Sequence, residues 1–278
     1  MERNNFLEIF EPKLAKAIEE YKNDKQTRLY EMLNYTLFPA GKRIRPYLVY
    51  LGAEFAKGGE LTEEELESVL NLGVCVELIH NYSLVHDDLP AMDNDEYRRG
   101  RLTVHKAFSE WEAILVGDEL LNLAYEKLLS FCAHGNMEMA KAGSYLAMQA
   151  GGKGMIKGQL LDLSGIKDIN NLIQTDLYKT AYLLRGALIS GAILLKADKE
   201  MIEALDEYAL NLGLAFQIAD DILDKDNIEN SILRFIHEEK AQEMVIELTN
   251  KAINALESYK VRSMSLQKLA MMLATRKN

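Results

Sequence analysis

Little in this chain marks a special environment, and each shortage closes a class of function. There are two cysteines, Cys75 and Cys132, both within apolar helical pattern and in no CxxC spacing. That argues against a thiolate zinc site or a disulfide framework and suits small core residues in a reducing compartment. Positive charge is in deficit: 32 Lys and Arg stand against 43 Asp and Glu, a formal net charge of -11. General binding to nucleic acid or to an anionic membrane is therefore not expected, and an anion can bind only at a local basic island. The strongest apolar run, Tyr182 to Leu195, is broken by Arg185 and too short to span a bilayer. The opening MERNNFLEIFEPK has no signal-peptide core. Four prolines and seventeen glycines in no repeat exclude fibrous and disordered compositions. A globular cytoplasmic protein is the expectation.

Alternating strand pattern is also missing, and helical periodicity fills the space. Helices are expected over Phe6–Tyr21, Gln26–Phe38 and from Pro46 to about Ala56. Thr62 with Glu65 is a capping-box signature opening a long helix that reaches Asp88. Further helices are expected over Val104–Phe131, Met137–Gln149, Met155–Leu163, Leu172–Lys196, a stretch capped by Asp198 and carrying Phe216 to Asp224, Ile232–Tyr259 and Ser265–Arg276. Ten or more helices without a Pro-, Gly- or Ser-rich linker predict one all-α domain over residues 1–278.

Charge is concentrated where the long helix ends. Asp87, Asp88, Asp93, Asp95 and Glu96 crowd beside Arg98, Arg99 and Arg101. Packed carboxylates repel one another, and half-buried ones need a cation. Two uses are open for the arginines: neutralising that charge, or holding an anion. On an unbroken helix Asp87 and Asp93 would lie about 240° apart. Pro90 removes a backbone hydrogen bond and lets the chain bend them together. A second acidic set, Asp220, Asp221 and Asp224, sits in the apolar LAFQIADDILD, with Asp220 and Asp224 on one helix face. Charge runs ordinarily face water, but apolar flanks on both sides weaken that account. Clustered oxygens without His or Cys suit Mg²⁺. His86 has no second His at metal-site spacing and reads as a residue that supports the ligands from behind or simply packs.

Basic islands lie elsewhere. Gly41-Lys42-Arg43-Ile44-Arg45-Pro46 sets three cations just before a helix N-terminus, which can be an anion site or a solvated loop. Lys179-Thr180 lies in apolar helix, where a lone lysine ordinarily snorkels to the surface. His80, two turns before Asp87, would in isolation be a core histidine.

Taken together, the blocks GKRIRP, ELIHNYSLVHDDLPAMDNDEYRRG, GDELLN, GQLLDL, YKT and FQIADDILD resemble the trans-isoprenyl diphosphate synthases, and most closely their bacterial farnesyl diphosphate synthase branch. The likeness runs from about Leu37 to Asp224. It implies a helical bundle around a central apolar cavity and a homodimer. It implies that Asp87, Asp88 and Asp93 bind two Mg²⁺, and that Asp220, supported by Asp221 and Asp224, binds a third. Arg98, Lys179, Thr180 and Gln217 would contact the diphosphate of an allylic substrate, dimethylallyl or geranyl. Lys42, Arg45, His80 and Arg99 would hold that of isopentenyl diphosphate. Asp87, Asp88, Asp93, Lys179 and Asp220 would carry catalysis, and Tyr82 with its neighbour Ser83 would set product length. Rival readings are a geranylgeranyl diphosphate synthase, a terpene cyclase and a non-catalytic synthase subunit. Two segments, Ser164–Lys167 and Lys225–Asn230, are shorter than the family pattern, through deletion or through loop residues missing from these 278.

Overall fold

A computed structural model of the chain describes residues 1–22, 27–38, 41–224 and 231–275. They form thirteen α-helices and one small hairpin, so the all-α expectation holds. The helices are α1 (Arg3–Ala17), α2 (Thr27–Leu37), α3 (Ile44–Lys57), α4 (Glu63–Asp87), α5 (Val104–Ala107), α6 (Glu110–Ala133), α7 (Met137–Ala150), α8 (Met155–Leu163), α9 (Ile169–Asp176), α10 (Tyr182–Leu194), α11 (Lys199–Leu223), α12 (Glu238–Ala255) and α13 (Met264–Ala274). Contacts divide the chain into two compact units, residues 1–47 with 66–140, and residues 48–65 with 141–278.

In the first unit Phe6, Phe10 and Leu14 form the fully buried stripe of α1. Phe6 stacks on Phe10 and tilts against Tyr47. Gly73 on α4 lets that helix come close: a Cβ there would lie 3.3 Å from both the Phe10 ring and Pro46. The capping box that opens α4 belongs to the second unit and forms as expected, with the Glu65 amide donating to Thr62 Oγ1 at 3.2 Å and the Thr62 amide to Glu65 Oε2 at 2.8 Å. By length and composition α4 could cross a membrane, but 72% of its apolar window is buried in protein. It, rather than Tyr182–Leu195, is the apolar helix to note.

The helix expected over Ile232–Tyr259 is only Glu238–Ala255, with 3-10 turns at either end, and three further features differ from the sequence reading. The helix expected from Val104 to Phe131 is broken at Phe108–Ser109. Ser109 starts a second capping box, accepting from the Glu112 amide and donating to Glu112 Oε2. Residues Tyr97–Arg98 and Arg101–Leu102 form an antiparallel hairpin where no strand was expected. Its two-residue loop has Arg99 at φ 53° and Gly100 at φ 75°, the left-handed pair of a type I′ turn. Finally, the helix expected from Leu172 to Lys196 is interrupted by a π-helical turn, Leu177–Ala181.

In the second unit, backbone meets backbone at two glycines. A Cβ on Gly52 would fall 1.9 Å from the Leu188 carbonyl oxygen, and one on Gly191 would fall 2.0 Å from that of Val49. Tyr208, fully buried, donates its hydroxyl to the Leu266 carbonyl at 2.7 Å. Leu172, Leu214, Ile218, Ile232, Ala241 and Val245 make a core under α11 and α12. Asp198 caps α11 as expected, accepting from the Met201 amide. Ser164–Lys167 link α8 to α9 with Gly165 at φ 87° and Asp168 as the helix cap. The other short segment, Lys225–Asn230, lies outside the described residues.

Candidate active site

The first acidic motif starts where α4 ends. Past Asp87 the chain folds back, and the Asp93 amide donates to the Asp87 carbonyl oxygen at 2.9 Å. The gap of six residues is thereby closed, as Pro90 allows. Asp88 is buried, and burial raises its pKa against the lowering effect of Arg98. Arg98 Nε donates to Asp88 Oδ1 at 2.7 Å, and its Nη2 reaches Asp95 at 3.2 Å. One arginine of the cluster therefore neutralises carboxylates.

The hairpin sends the other two elsewhere. Arg101 lies over the Tyr35 ring and donates to the Phe38 carbonyl at 2.7 Å. Arg99, at the exposed tip, lies against Gly41, where a Cβ would meet its guanidinium at 2.7 Å. All three arginines still line one pocket of about 60 Å³, together with Tyr35, Asn81 and Asp88 among others. That is room for a few ordered waters.

Gly41 leads into the basic island. Arg45 Nη1 stands 3.1 Å from His80 Nε2. A guanidinium only donates, so His80 accepts there through the lone pair of a neutral ring. Burial and the surrounding arginines, Arg45 first, push the His80 pKa well below its ordinary value, in agreement. Arg45, His80 and Arg99 thus converge, with exposed Lys42 beside Gly41. Arg43 does not join them, because its buried guanidinium is bound to Glu11 and Glu77.

His86 packs against α6. Its Nε2 lies 3.1 Å from the Ile114 carbonyl, to which it must donate. Gly117 makes that approach possible, since a Cβ there would sit 2.1 Å from the same atom. Tyr82, also buried, makes an edge contact with the His86 ring and has its pKa pushed by burial up to about 12. Ser83 donates to the His80 carbonyl.

The second unit assembles the remaining motifs. The π-helical turn presents Lys179 and Thr180, and irregular turns of this kind recur at functional sites. It is wedged between two glycines. A Cβ on Gly158 of α8 would lie 2.1 Å from the Lys179 amide nitrogen, and one on Gly213 of α11 would lie 2.4 Å from Ala181 Cβ. Lys179 Nζ donates to Asp162 Oδ2 at 2.5 Å. Thr180 donates to Gln217 Oε1 at 3.0 Å, and Gln217 Nε2 donates to Asp221 Oδ1 at 3.1 Å. The other Asp221 oxygen accepts from the Ile232 amide at 2.7 Å. Asp221 is buried and occupied by protein donors, whereas Asp224 is exposed at the end of α11 and Asp220 half-buried.

Asp162 and Asp176 had not been singled out. Asp176 is buried, its Oδ2 has no hydrogen-bond partner among the described residues, and its pKa is raised to about 8. Burial is the main cause, followed by Asp221 and Asp162, with Lys179 opposing. An acid one residue before a helix break, between apolar turns, was the available signal. Among the described residues no three His, Cys, Asp or Glu side chains are grouped to hold a metal ion by themselves.

An all-α protein with acidic motifs at the ends of α4 and α11, and with cations on a hairpin and a π-helical turn, is the class so defined. The sequence profile described as polyprenyl synthetase matches residues 26–264, and the chain belongs to that family. It is 43% identical over 202 residues to a farnesyl diphosphate synthase of Micrococcus luteus, covering 72% of this chain and 67% of that protein. It is 42% identical over 204 residues to geranylgeranyl pyrophosphate synthase 7, chloroplastic, of Arabidopsis thaliana, covering 71% and 57%. The chain thus matches between just over half and two thirds of the length of these relatives. The apo structure of an FPP/GFPP synthase from Zymomonas mobilis superposes with a TM-score of 0.87 at 32% identity, covering 98% of this chain and 99% of that one.

Proposed function

We propose that this chain is a Mg²⁺-dependent prenyltransferase joining isopentenyl diphosphate to dimethylallyl or geranyl diphosphate, with farnesyl diphosphate as product. The observation that carries the reading is that the cations of the first unit divide between different partners. Asp88 is bound to Arg98, while Arg45 stands against His80 and Arg99 against Gly41. Two phosphorylated substrates need such a division. That the family profile spans both compact units supports one polyprenyl synthetase domain over residues 1–278.

The donors fit the metal in kind. Asp87, Asp88, Asp93, Asp220 and Asp224 offer hard oxygens, and Asp221 supports from behind by fixing Gln217. Mg²⁺ takes one or two carboxylates and completes its shell with water and substrate phosphate, so three grouped carboxylates are not required. Three ions per site is the expected number. When bound, Mg²⁺ supplies charge neutralisation for a leaving diphosphate.

The chain's own residues do the rest. Lys179, Thr180, Gln217 and Arg98 orient the allylic diphosphate. As its carbon–oxygen bond breaks, the electron pair leaves with the diphosphate, stabilised by those donors. Lys42, Arg45, neutral His80 and Arg99 hold the second diphosphate, so its double bond faces the allylic carbon. The π pair forms the new carbon–carbon bond, and the departed diphosphate takes the released proton. The cation must meanwhile be kept from water, which would otherwise trap it. Tyr82, about 7.5 Å along α4 from Asp87, stops growth at fifteen carbons.

Incubation with labelled isopentenyl diphosphate, each allylic diphosphate and Mg²⁺, followed by product sizing, tests this. A fifteen-carbon diphosphate is expected. A twenty-carbon product would establish the geranylgeranyl alternative, and conversion of an allylic diphosphate alone would establish a cyclase. Absence of any product would refute the reading. A homodimer is part of the proposal, supported by exposed Trp111, Ile114 and Leu115 along α6, and sedimentation tests it. A cytoplasmic setting rests on the two free thiols.

A further inference from the structure

Arg43 stands between two residues assigned to substrate and touches none. Its backbone is left-handed at φ 48°, a conformation that L-residues rarely adopt and that glycine would relieve. Its side chain is fully buried. Nε donates to Glu11 Oε1 at 2.8 Å and Nη2 to Glu11 Oε2 at 3.2 Å. Nη1 donates to Glu77 Oε1 at 2.6 Å, and Nη2 also reaches the Leu37 carbonyl at 2.7 Å. Asn81 Nδ2 secures Glu77 from the far side at 3.1 Å. One guanidinium therefore ties α1, the end of α2 and α4 to the first turn of α3.

The spacing along α4 gives this clamp its meaning. Gly73, Glu77 and His80 recur at i, i+4 and i+7 and share one face. Gly73 meets Pro46, Glu77 meets Arg43, and His80 meets Arg45. The three contacts zip the start of α3 onto α4, with the ion pair in the middle. The preceding loop is held too, since Arg3 donates to the Lys42 carbonyl at 3.1 and 2.8 Å. A lysine at 43 would keep the charge but lose the planar fork that serves two carboxylates at once.

Building on the proposed function, we propose that Arg43 is a positioning residue for the isopentenyl diphosphate side. By gripping Glu11 and Glu77 it fixes where Arg45 and His80 stand, and so sets affinity for that diphosphate without acting on the allylic one. Glu77 is its partner in that role.

The test is Arg43→Lys in the full chain, with both KM values and kcat measured. The expected result is a KM for isopentenyl diphosphate raised tenfold or more, with the allylic KM within twofold of the unchanged protein. A parallel rise in both, or an unchanged isopentenyl KM, overturns the proposal. Should Arg43→Lys not fold, Glu11→Gln removes half of the clamp, and a threefold rise confined to the isopentenyl KM is expected. Should the unchanged protein make no product, the functional reading fails on its own. Titration with inorganic pyrophosphate in EDTA then reads the direct cation site. Tenfold weaker binding by Arg43→Lys supports the positioning role, and equal binding overturns it.

Discussion

Gly158→Ala sets two effects of opposite sign against each other. Alanine is favoured over glycine inside a helix by about 1 kcal/mol, so on propensity alone α8 should gain stability. The added Cβ, however, would lie 2.1 Å from the Lys179 nitrogen, 2.4 Å from its Cα and 2.6 Å from the Tyr178 carbonyl carbon. All three are backbone atoms, and none can rotate away. To restore a spacing of about 3.5 Å, α8 must retreat from the π-helical turn by roughly 1.4 Å. Overpacking of this kind costs about 1–3 kcal/mol, and with backbone on the receiving side the upper figure applies. The net expectation is a loss of about 2 kcal/mol, or roughly 4–8 °C in melting temperature. Catalysis should suffer more, because Lys179 and Asp162 separate as α8 moves, and a 1 Å misplacement can lower a rate about 100-fold. Gly152→Ala is the control. A Cβ there meets nothing within 4 Å, and its effect should stay within about 0.5 kcal/mol. Thermal melts and turnover at saturating substrates decide. An unchanged or raised melting temperature for Gly158→Ala would refute the close approach.

Three further outcomes are expected. Tyr82→Ala should lengthen the product beyond fifteen carbons while destabilising the protein by about 3 kcal/mol; product sizing that still finds only fifteen removes Tyr82 as the stop. Asp176 has a folded pKa of about 8 against 3.8 for the free group, so the folded state binds its proton more tightly and stability falls as pH rises from about 4 to 8. In EDTA, Asp176→Asn should therefore melt higher than the unchanged protein, by an energy on the order of 4 kcal/mol at pH 7 and more at pH 8 than at pH 5; a pH-independent difference would contradict this. His80 has a depressed pKa, so its contribution is present above about pH 6.5 and lost as pH falls below it, when the unfolded chain takes up a proton. Urea midpoints between pH 5 and 8 should show that loss in the unchanged protein and a flatter profile in His80→Gln.

What could be read from the sequence follows from how local each signal is. The Thr62–Glu65 box and the Asp198 cap are written within four residues and were found. Ser109–Glu112 is the same kind of signal, but apolar periodicity on both sides masked it. The π-helical turn left no mark in the periodicity, and the glycines that make room for it, Gly158 and Gly213, are distant in sequence. The arginines were visible as charge, but their division of labour was not. Arg98 goes to Asp88, Arg101 to the Phe38 carbonyl and Arg99 to Gly41, and a type I′ turn between short strands sorts them. Arg43 shows the same limit, since its burial depends on Glu77 meeting it from another helix.

The wide turn at Leu177–Ala181 behaves as an ordinary helix with one residue too many. Excision of a single residue there would let α9 run smoothly into α10, with the downstream close approach of Gly191 to Val49 still in phase. The helix could thus gain or shed a residue at this place without re-seating its buried half. The lysine and threonine ride on that slack, so their reach can be retuned by insertion or deletion while the core beneath keeps its register.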